Sequence, residues 1–169
     1  MELKQIPNVI IVYRRPAERQ ANAEKVSLEH RSLQSVPLLE GEEPLKFLGL
    51  ANNQIKKIDH LVSLPNLQSL DLSANKIAEI NNFWMPGSNL DKLRSLNLAK
   101  NQIKSIKHLD HLPNLETLDL QDNRISELSG LSKLTNLRNL YLQSNMIETL
   151  ELPELRHLVE LNVRKNKIS

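Results

Sequence analysis

The chain repeats a pattern of apolar and polar positions, Leu-x-x-Leu-x-Leu-x-x-Asn-x-Ile, at intervals close to 22 residues. Clear copies begin at Leu45, Leu67, Leu93, Leu115, Leu137 and Leu158. The intervals between these leucines are 22, 26, 22, 22 and 21 residues. A period of this size is typical of a solenoid, in which each copy forms one coil of a stacked array.

The Leu-x-Leu pair inside each copy predicts a short strand with both leucines on one face. Residues two apart in a strand point to the same side, and Leu118-Asp119-Leu120 shows the alternation. Stacked copies place such strands side by side in a parallel sheet, about 4.8 Å apart. No copy can bury its apolar face alone, so neighbouring copies supply the core.

An asparagine follows each predicted strand, and beyond it the apolar spacing lengthens to three residues. The asparagines are Asn53, Asn75, Asn101, Asn123, Asn145 and Asn166. A side-chain amide both donates and accepts, so it can satisfy backbone groups that a tight bend leaves without strand partners. The wider spacing of Ile103, Ile106 and Leu109 predicts a 3₁₀ turn or short helix on the outer, convex side.

The pattern divides the chain into two parts. Residues 1–22 are expected to form an N-terminal arm or lead-in segment, either lying over the first coil or carrying a partner motif in a disordered tail. Residues 23–169 form the repeat domain, with copies opening near residues 23, 45, 67, 93, 115, 137 and 158. The first copy has Arg31 at the asparagine position, which suits a terminal coil. We expect the domain to be incomplete at its carboxyl end, because no capping motif follows Asn166.

The repeats carry a family resemblance. The units LPNLQSLDLSANKIAEI and LPNLETLDLQDNRISELSGL resemble the leucine-rich repeat of the SDS22-like class. This class includes a phosphatase regulatory subunit, a tubulin-folding cofactor, a spliceosomal protein and ciliary proteins. The stretch EKVSLEHRSLQSVPLLEGEEPLKFLGLANNQI is also similar to repeats of a leucine-rich-repeat subunit associated with tubulin polyglutamylase. The resemblance implies an α/β, right-handed leucine-rich repeat solenoid of about seven repeats, with a parallel β-sheet on the concave face and 3₁₀ or short helices on the convex face.

Composition and charge narrow the class of protein. Aromatic residues make up only 3% of the chain, so the core must be aliphatic. The chain has no cysteine, whereas extracellular repeat proteins usually have disulfide-bonded ends. We therefore expect an intracellular protein located in the cytoplasm. The cytoskeleton, the cilium and the nucleus are further possible locations. The apolar run at 9–13 is too short for a membrane span, and a formal charge of +2 does not call for nucleic acid.

Side chains beside the strand leucines are expected to point away from the core and to form a partner-binding concave surface. The candidates are Phe47, Ser69, Asp71, Ser73, Ser95, Asn97, Thr117, Asp119, Gln121, Asn139, Tyr141, Gln143, Asn162 and Arg164. Small polar side chains leave room for a partner, and the rings of Phe47 and Tyr141 can anchor it. The alternative is a solvated surface without a binding role.

A four-residue insertion between Ile80 and Leu93 supplies a secondary candidate. It contains Phe83 and the single tryptophan of the chain, Trp84. Exposed aromatic residues often anchor partners, which makes this loop a possible second contact. The alternative is that both rings pack under the widened loop.

Candidate catalytic chemistry is sparse, and we expect no enzyme, no cofactor and no metal. Five histidines have no cysteine to join them in a zinc site, and only four glycines are present. Asp71 and Asp119 stand two repeats apart, about 10 Å, with no pocket indicated. Basic residues on the outer side are expected to form either a solvated face or a patch that binds acidic partners. They are Lys56, Lys57, Lys104, Lys107, Arg124, Arg164, Lys165 and Lys167.

The sequence thus predicts a non-catalytic scaffold that holds a protein partner on its concave face. The resemblance implies partners among phosphatases, tubulin-related machinery or ciliary assemblies. Nucleic acid and membrane partners are not expected. The alternatives are an N-terminal targeting domain of a longer protein, or a scaffold in an RNA–protein complex.

Overall fold

The computed structural model describes residues 2–6, 9–80 and 90–169, and it is a parallel-sheet solenoid. In chain order its strands and helix are β1 (Glu2–Ile6), β2 (Val9–Tyr13), α1 (Pro16–Ala21), β3 (Lys25–Ser27), β4 (Leu38–Leu39), β5 (Phe47–Gly49), β6 (Ser69–Asp71), β7 (Ser95–Asn97), β8 (Thr117–Asp119), β9 (Asn139–Tyr141) and β10 (Glu160–Asn162). One sheet runs in the order β3, β5, β6, β7, β8, β9, β10, with every described pair parallel. The predicted solenoid is confirmed.

The strand register repeats without a shift from coil to coil. Leu48 pairs with Leu70, Leu70 with Leu96, and Leu96 with Leu118. The register also holds across the 26-residue interval, where Ser69–Asp71 pairs with Ser95–Asn97. The central leucines of β5 to β9 are buried in the core, where full burial stabilises each by roughly 1.5–3 kcal/mol.

The asparagines after the strands link each coil to the one before it. Asn123 Nδ2 donates to Leu120 O and Gln121 O of its own coil and to Leu98 O of the preceding coil, at 3.1, 3.2 and 2.9 Å. Its Oδ1 accepts from Ile103 N at 2.9 Å. Equivalent bonds recur at Asn53, Asn75, Asn101, Asn145 and Asn166. This asparagine ladder satisfies the backbone of the bend, as the sequence predicts.

The described convex side has fewer than one helix per coil. Within the described residues, 3₁₀ helices occur at Leu61–Ser63 and Leu109–His111, and the other coils return through turns and extended chain. Gly130 gives one reason. Its φ is +97°, and a Cβ there would meet Ile106 O at 2.3 Å, so the chain passes too close to the preceding coil for any other residue.

The N-terminal segment forms a second, three-stranded sheet. β2 pairs antiparallel with β1 and parallel with β4. Val12 is fully buried in the hydrophobic core of the first coils. The acidic stretch 40–44 reads in the sequence as a surface turn, yet Glu42 is only 1% exposed.

Glu42 is buried because it accepts bonds from two arginines. Arg14 Nε donates to Glu42 Oε1 at 3.0 Å, and a second bond joins Arg14 Nη2 to Glu42 Oε2. Arg19 Nε donates to Glu42 Oε1 at 3.0 Å from α1. Arg14 is itself buried, so this group of three joins the N-terminal segment to the end of the first coil through a desolvated ion pair.

The opposite end of the sheet is open to solvent. β10 is an edge strand, and its central residue Leu161 is 37% exposed whereas Leu140 on β9 is fully buried. Val159, just before β10, is 81% exposed. The helices found in the described ranges are all too short to reach across a bilayer.

Candidate partner-binding surface

Three columns of side chains run across the concave sheet. The first column precedes the central leucine of each strand and contains Lys25, Phe47, Ser69, Ser95, Thr117, Asn139 and Glu160. The middle column ends each strand and contains Ser27, Gly49, Asp71, Asn97, Asp119, Tyr141 and Asn162. The third column lies two residues further on and contains Glu29, Ala51, Ser73, Ala99, Gln121, Gln143 and Arg164.

The structure places the concave candidates together at the surface. Phe47 and Arg164 are exposed, and the others are partly exposed. Two third-column residues outside that set, Ala51 and Ala99, are buried at 7% and 2% exposure, which corrects the expectation that the whole column faces solvent. A methyl side chain is too short to emerge past its neighbours. Phe83 and Trp84, the secondary candidates, lie outside the described residues.

Four middle-column side chains each accept the same kind of hydrogen bond, which the sequence pattern did not predict. Asp71 Oδ1 accepts from Ser73 N at 2.8 Å, and Asn97 Oδ1 accepts from Ala99 N at 3.0 Å. Asp119 Oδ1 accepts from Gln121 N at 3.0 Å, and the same bond recurs at Asn162. Such a bond from an Asp or Asn to the amide two residues on is a recognised local motif, so the residue type was the available signal.

Asp119 is the electrostatically perturbed group of this surface. Burial raises its pKa, and the negative charges of Asp122 and Asp71 raise it further, against the lowering effect of the Gln121 amide. Within the described part of the chain, no basic side chain forms an ion pair with Asp71 or Asp119. The middle of the sheet therefore holds negative charge without a cation beside it.

Amide and hydroxyl side chains connect neighbouring strands around these carboxylates. Asn139 Nδ2 donates to Thr117 Oγ1 at 3.0 Å, and Gln143 Nε2 donates to Gln121 Oε1. Gln143 Oε1 is buried without a hydrogen-bond partner among the described residues. These cross-strand bonds hold the surface in one arrangement before any partner arrives.

The two rings stand on strands that flank this polar region. Phe47 on β5 is 43% exposed, a high value for a large apolar side chain. On β9, Tyr141 donates its hydroxyl to Glu160 Oε2 at 2.8 Å. That hydrogen bond is the main cause of a raised Tyr141 pKa, with smaller contributions from burial and from the charges of Glu160 and Asp119. Both rings are positioned to contact a partner lying across the sheet.

Other places in the molecule offer less for binding or catalysis. Across the ranges that the structure describes, no three His, Asp or Glu side chains cluster closely enough to hold a metal ion. An open groove of about 590 Å³ on the convex side is lined by Glu127, Glu148 and Glu151 together with Ser, Thr and Leu. Nothing in that lining pairs a nucleophile with a base.

Comparison with known proteins agrees with the geometry. Leucine-rich repeat family models match residues 45–83, 65–125 and 136–158, which together cover more than half of the chain. Human leucine-rich repeat-containing protein 49 is 37% identical over 71 residues, which span 42% of this chain and 10% of that protein. The match thus spans about a tenth of that relative's length.

Solved structures with the same architecture include two complexes. The TLR13–ssRNA13 complex matches with a TM-score of 0.71 and 32% identity, over 83% of this chain and 22% of that one. The Toll–Spatzle complex from Drosophila matches with a TM-score of 0.68 and 27% identity, over 86% of this chain and 22% of that one.

Proposed function

Because the chain belongs to the leucine-rich repeat family, we propose that it is a non-catalytic scaffold that binds one protein partner on its concave sheet. The observation that carries this proposal is the concave surface itself. Its side chains are partly exposed, joined by cross-strand hydrogen bonds and flanked by two rings. A surface ordered in advance loses little entropy when a partner binds.

The finer proposal concerns the kind of partner and the place of action. The SDS22-like pattern of the repeats supports a regulatory role beside a phosphatase, a tubulin-related complex or a ciliary assembly. The absence of cysteine supports an intracellular address. The similarity of this chain to solved complexes supports binding in general, since one of those neighbours is the Toll–Spatzle complex.

A second candidate function follows from the length of the curated relative. Human leucine-rich repeat-containing protein 49 is about ten times longer than the stretch it shares with this chain. The repeats would then serve as the targeting domain of a larger protein, through the same concave surface. A role in an RNA–protein complex is the third candidate, supported by the neighbour solved with ssRNA13.

A pull-down with quantitative mass spectrometry tests the scaffold proposal. We expect Tyr141→Ala to reduce recovery of the specific protein partner about thirtyfold, because anchor residues at interfaces contribute about 2 kcal/mol or more. Ser95→Trp, which fills the centre of the concave sheet, is expected to abolish recovery.

The matched control is Ser105→Trp, the same substitution at an exposed position on the convex side. It is expected to leave recovery unchanged. Equal recovery by the wild type, Tyr141→Ala and Ser95→Trp would overturn the proposal. Recovery of RNA in place of protein, surviving moderate salt, would favour the third candidate.

A further inference from the structure

The concave sheet carries one ordered series of side chains across five neighbouring strands. From β5 to β9 these are an aromatic ring, a carboxylate, a carboxamide, a carboxylate and an aromatic ring. The residues are Phe47, Asp71, Asn97, Asp119 and Tyr141. Register pairs Asp71 with Asn97, Asn97 with Asp119, and Asp119 with Tyr141, so the last four stand side by side. Phe47 belongs to the first column, where it pairs with Ser69, and the residue of β5 that pairs with Asp71 is Gly49.

Positive charge is missing from this part of the surface. The three columns contain no Lys or Arg on the coils of β5 to β9, and their basic residues, Lys25 and Arg164, belong to the coils of β3 and β10. The acid Glu116, by contrast, is paired with Arg94 at the edge of the sheet. Asp71 and Asp119 take part in none of the ion pairs of the described residues.

The described bonds use Oδ1 of Asp71, and at Asp119 a long bond from Gln121 Nε2 to Oδ2, at 3.4 Å, accompanies the bond to Oδ1. Oδ1 of Asp71 and Oδ1 of Asp119 accept the amide two residues on, and Asn97 makes the same bond without a charge. The local structure therefore requires an oxygen at these positions but not a negative charge. Burial and the charges of Asp71 and Asp122 raise the pKa of Asp119, which shows that the charge is unfavourable in the chain alone. A cation from outside would relieve that cost.

The rings add to the attraction for cations. The ring of Tyr141 stands on the strand next to Asp119, and Phe47 stands on the strand next to Asp71. A guanidinium or ammonium group over an aromatic face is attracted by the ring. Asp119 and Tyr141 are direct register partners, whereas Phe47 lies diagonally from Asp71, so the carboxylate and ring stand side by side at the β9 end and one diagonal step apart at the β5 end.

Strand geometry fixes the distance between the two carboxylates. Two strand intervals separate β6 from β8, which is about 10 Å. A polyproline II segment places residues three apart on one side at about 9.3 Å. An α-helix places residues seven apart on nearly the same side at about 10.5 Å.

We propose that the concave surface binds a protein segment bearing two Arg or Lys side chains about 10 Å apart, one paired with Asp71 and the other with Asp119. This inference rests on the proposed scaffold function, since it specifies the chemistry of the partner bound at the same surface. Asn97, between the two carboxylates, is available to the backbone of that segment.

Selection from a library of random 12-residue peptides displayed on phage tests this without knowledge of the natural partner. We expect the peptides enriched on the wild-type chain to carry two Arg or Lys residues. Synthetic copies are then titrated by fluorescence anisotropy. Asp71→Asn and Asp119→Asn are each expected to weaken binding about tenfold, since a charge-assisted hydrogen bond is lost while the local fold is kept.

Matched variants separate this inference from the scaffold proposal. Asp91→Asn, at an exposed aspartate outside the three columns, and Ser105→Trp are expected to bind as the wild type does. Peptides that lose binding to Ser95→Trp yet bind both Asn variants unchanged would overturn the dibasic partner while leaving the scaffold proposal intact. Peptides that bind Ser95→Trp as tightly as the wild type would show that binding occurs elsewhere on the molecule. This result would count against both the dibasic partner and the scaffold proposal.

Two further outcomes also decide the inference. Enrichment of acidic or purely apolar peptides would overturn it, and so would the enrichment of none. With a dibasic peptide in hand, replacing either cationic residue by Ala is expected to weaken binding by a similar factor. A peptide redesigned with its two Arg residues adjacent is expected to lose the contribution of one of them.

Discussion

A short side chain ending in an amide or a carboxylate has two separate structural tasks in this molecule. Asn123 bonds to two coils at once and joins them, whereas Asp119 bonds within its own coil to Gln121 N. Asn97 makes the same local bond as Asp119 on the neighbouring strand. Charge at position 119 is therefore not needed for the fold, and its effect on stability can be measured separately.

We expect Asp119→Asn to raise the free energy of unfolding at pH 7, by less than about 1 kcal/mol since the group is only half-buried. Folding raises the pKa of Asp119 above its ordinary value of 3.8. At pH values between 3.8 and this raised pKa, the folded state binds more protons than the unfolded chain. The contribution of Asp119 to the free energy of unfolding therefore falls as the pH rises through its folded pKa. The loss is complete at pH values above that pKa.

Urea unfolding followed by far-ultraviolet circular dichroism at pH 7 and at pH 3 measures this effect. The gain in the Asp119→Asn variant should shrink towards zero at pH 3, where the wild-type carboxyl is protonated in both states. Asp91→Asn serves as the control and should show no gain. A loss of stability in Asp119→Asn at pH 7 would mean that the fold benefits from the charge.

At the scale of elements, the N-terminal sheet is attached to the solenoid by a buried ion pair. Arg14 precedes α1, Arg19 lies within it, and both donate to Glu42 in the turn after β4. Desolvating these charges costs free energy that their attraction offsets only while all are present. The attachment of the N-terminal sheet to the solenoid therefore depends strongly on the Glu42 carboxylate, although this group carries only a single charge.

Replacing Glu42 by Gln is expected to lower the free energy of unfolding by about 3–5 kcal/mol, because buried Arg14 loses its counter-charge. The control is Glu24→Gln, which removes the exposed pair with Lys46 and should cost less than about 1 kcal/mol. Guanidinium chloride unfolding of both variants measures the difference. Equal losses in the two variants would show that burial of the Glu42 pair carries no special weight.

Elements with a local cause could be predicted from the sequence, and those with a distant cause could not. Alternation at period two was enough to place Asp71, Asp119 and Tyr141 at the concave surface, since strand geometry alone decides it. The pairing of β2 with β4 joins residues 27 apart, and no local pattern specifies it. The burial of Glu42 likewise depends on arginines more than twenty residues away.

The residues that lie at the concave surface were predictable from the sequence, but the charge environment of that surface was not. Residue type and period gave the three columns, whereas the absence of a basic partner for Asp71 and Asp119 required the positions of all neighbouring charges. The burial of Ala51 and Ala99 also depends on the length of adjacent side chains. Convex helices were only partly predictable, because close passage of coils at Gly130 replaces one of them with a turn.

At the scale of the whole molecule, stability varies along the solenoid axis. Each coil contacts only its neighbours, so an inner coil is buried on both sides and an edge coil on one. Leu118 on β8 and Leu161 on β10 occupy the same position in the repeat, yet their exposures are 0% and 37%. The pair isolates the effect of position from that of residue type.

We expect Leu118→Ala to lower the free energy of unfolding by about 2–5 kcal/mol, and Leu161→Ala by less than about 1 kcal/mol. The inner substitution leaves a cavity between two coils, whereas the outer one removes a side chain already in contact with water. Chemical unfolding measures both losses, and amide hydrogen exchange should show β10 opening more readily than β8. Comparable losses at the two positions would contradict nearest-neighbour stacking.

The constant register has a consequence for how recognition by this molecule can evolve. Backbone hydrogen bonds set the interval between neighbouring strands, and the interval survives a coil four residues longer than most of the others. Mutation can therefore change which chemical group stands at each site of the grid without altering the spacing of the grid. A descendant with its acidic residues one strand nearer or farther apart would select ligands with a different distance between charges, through single substitutions and with no redesign of the scaffold.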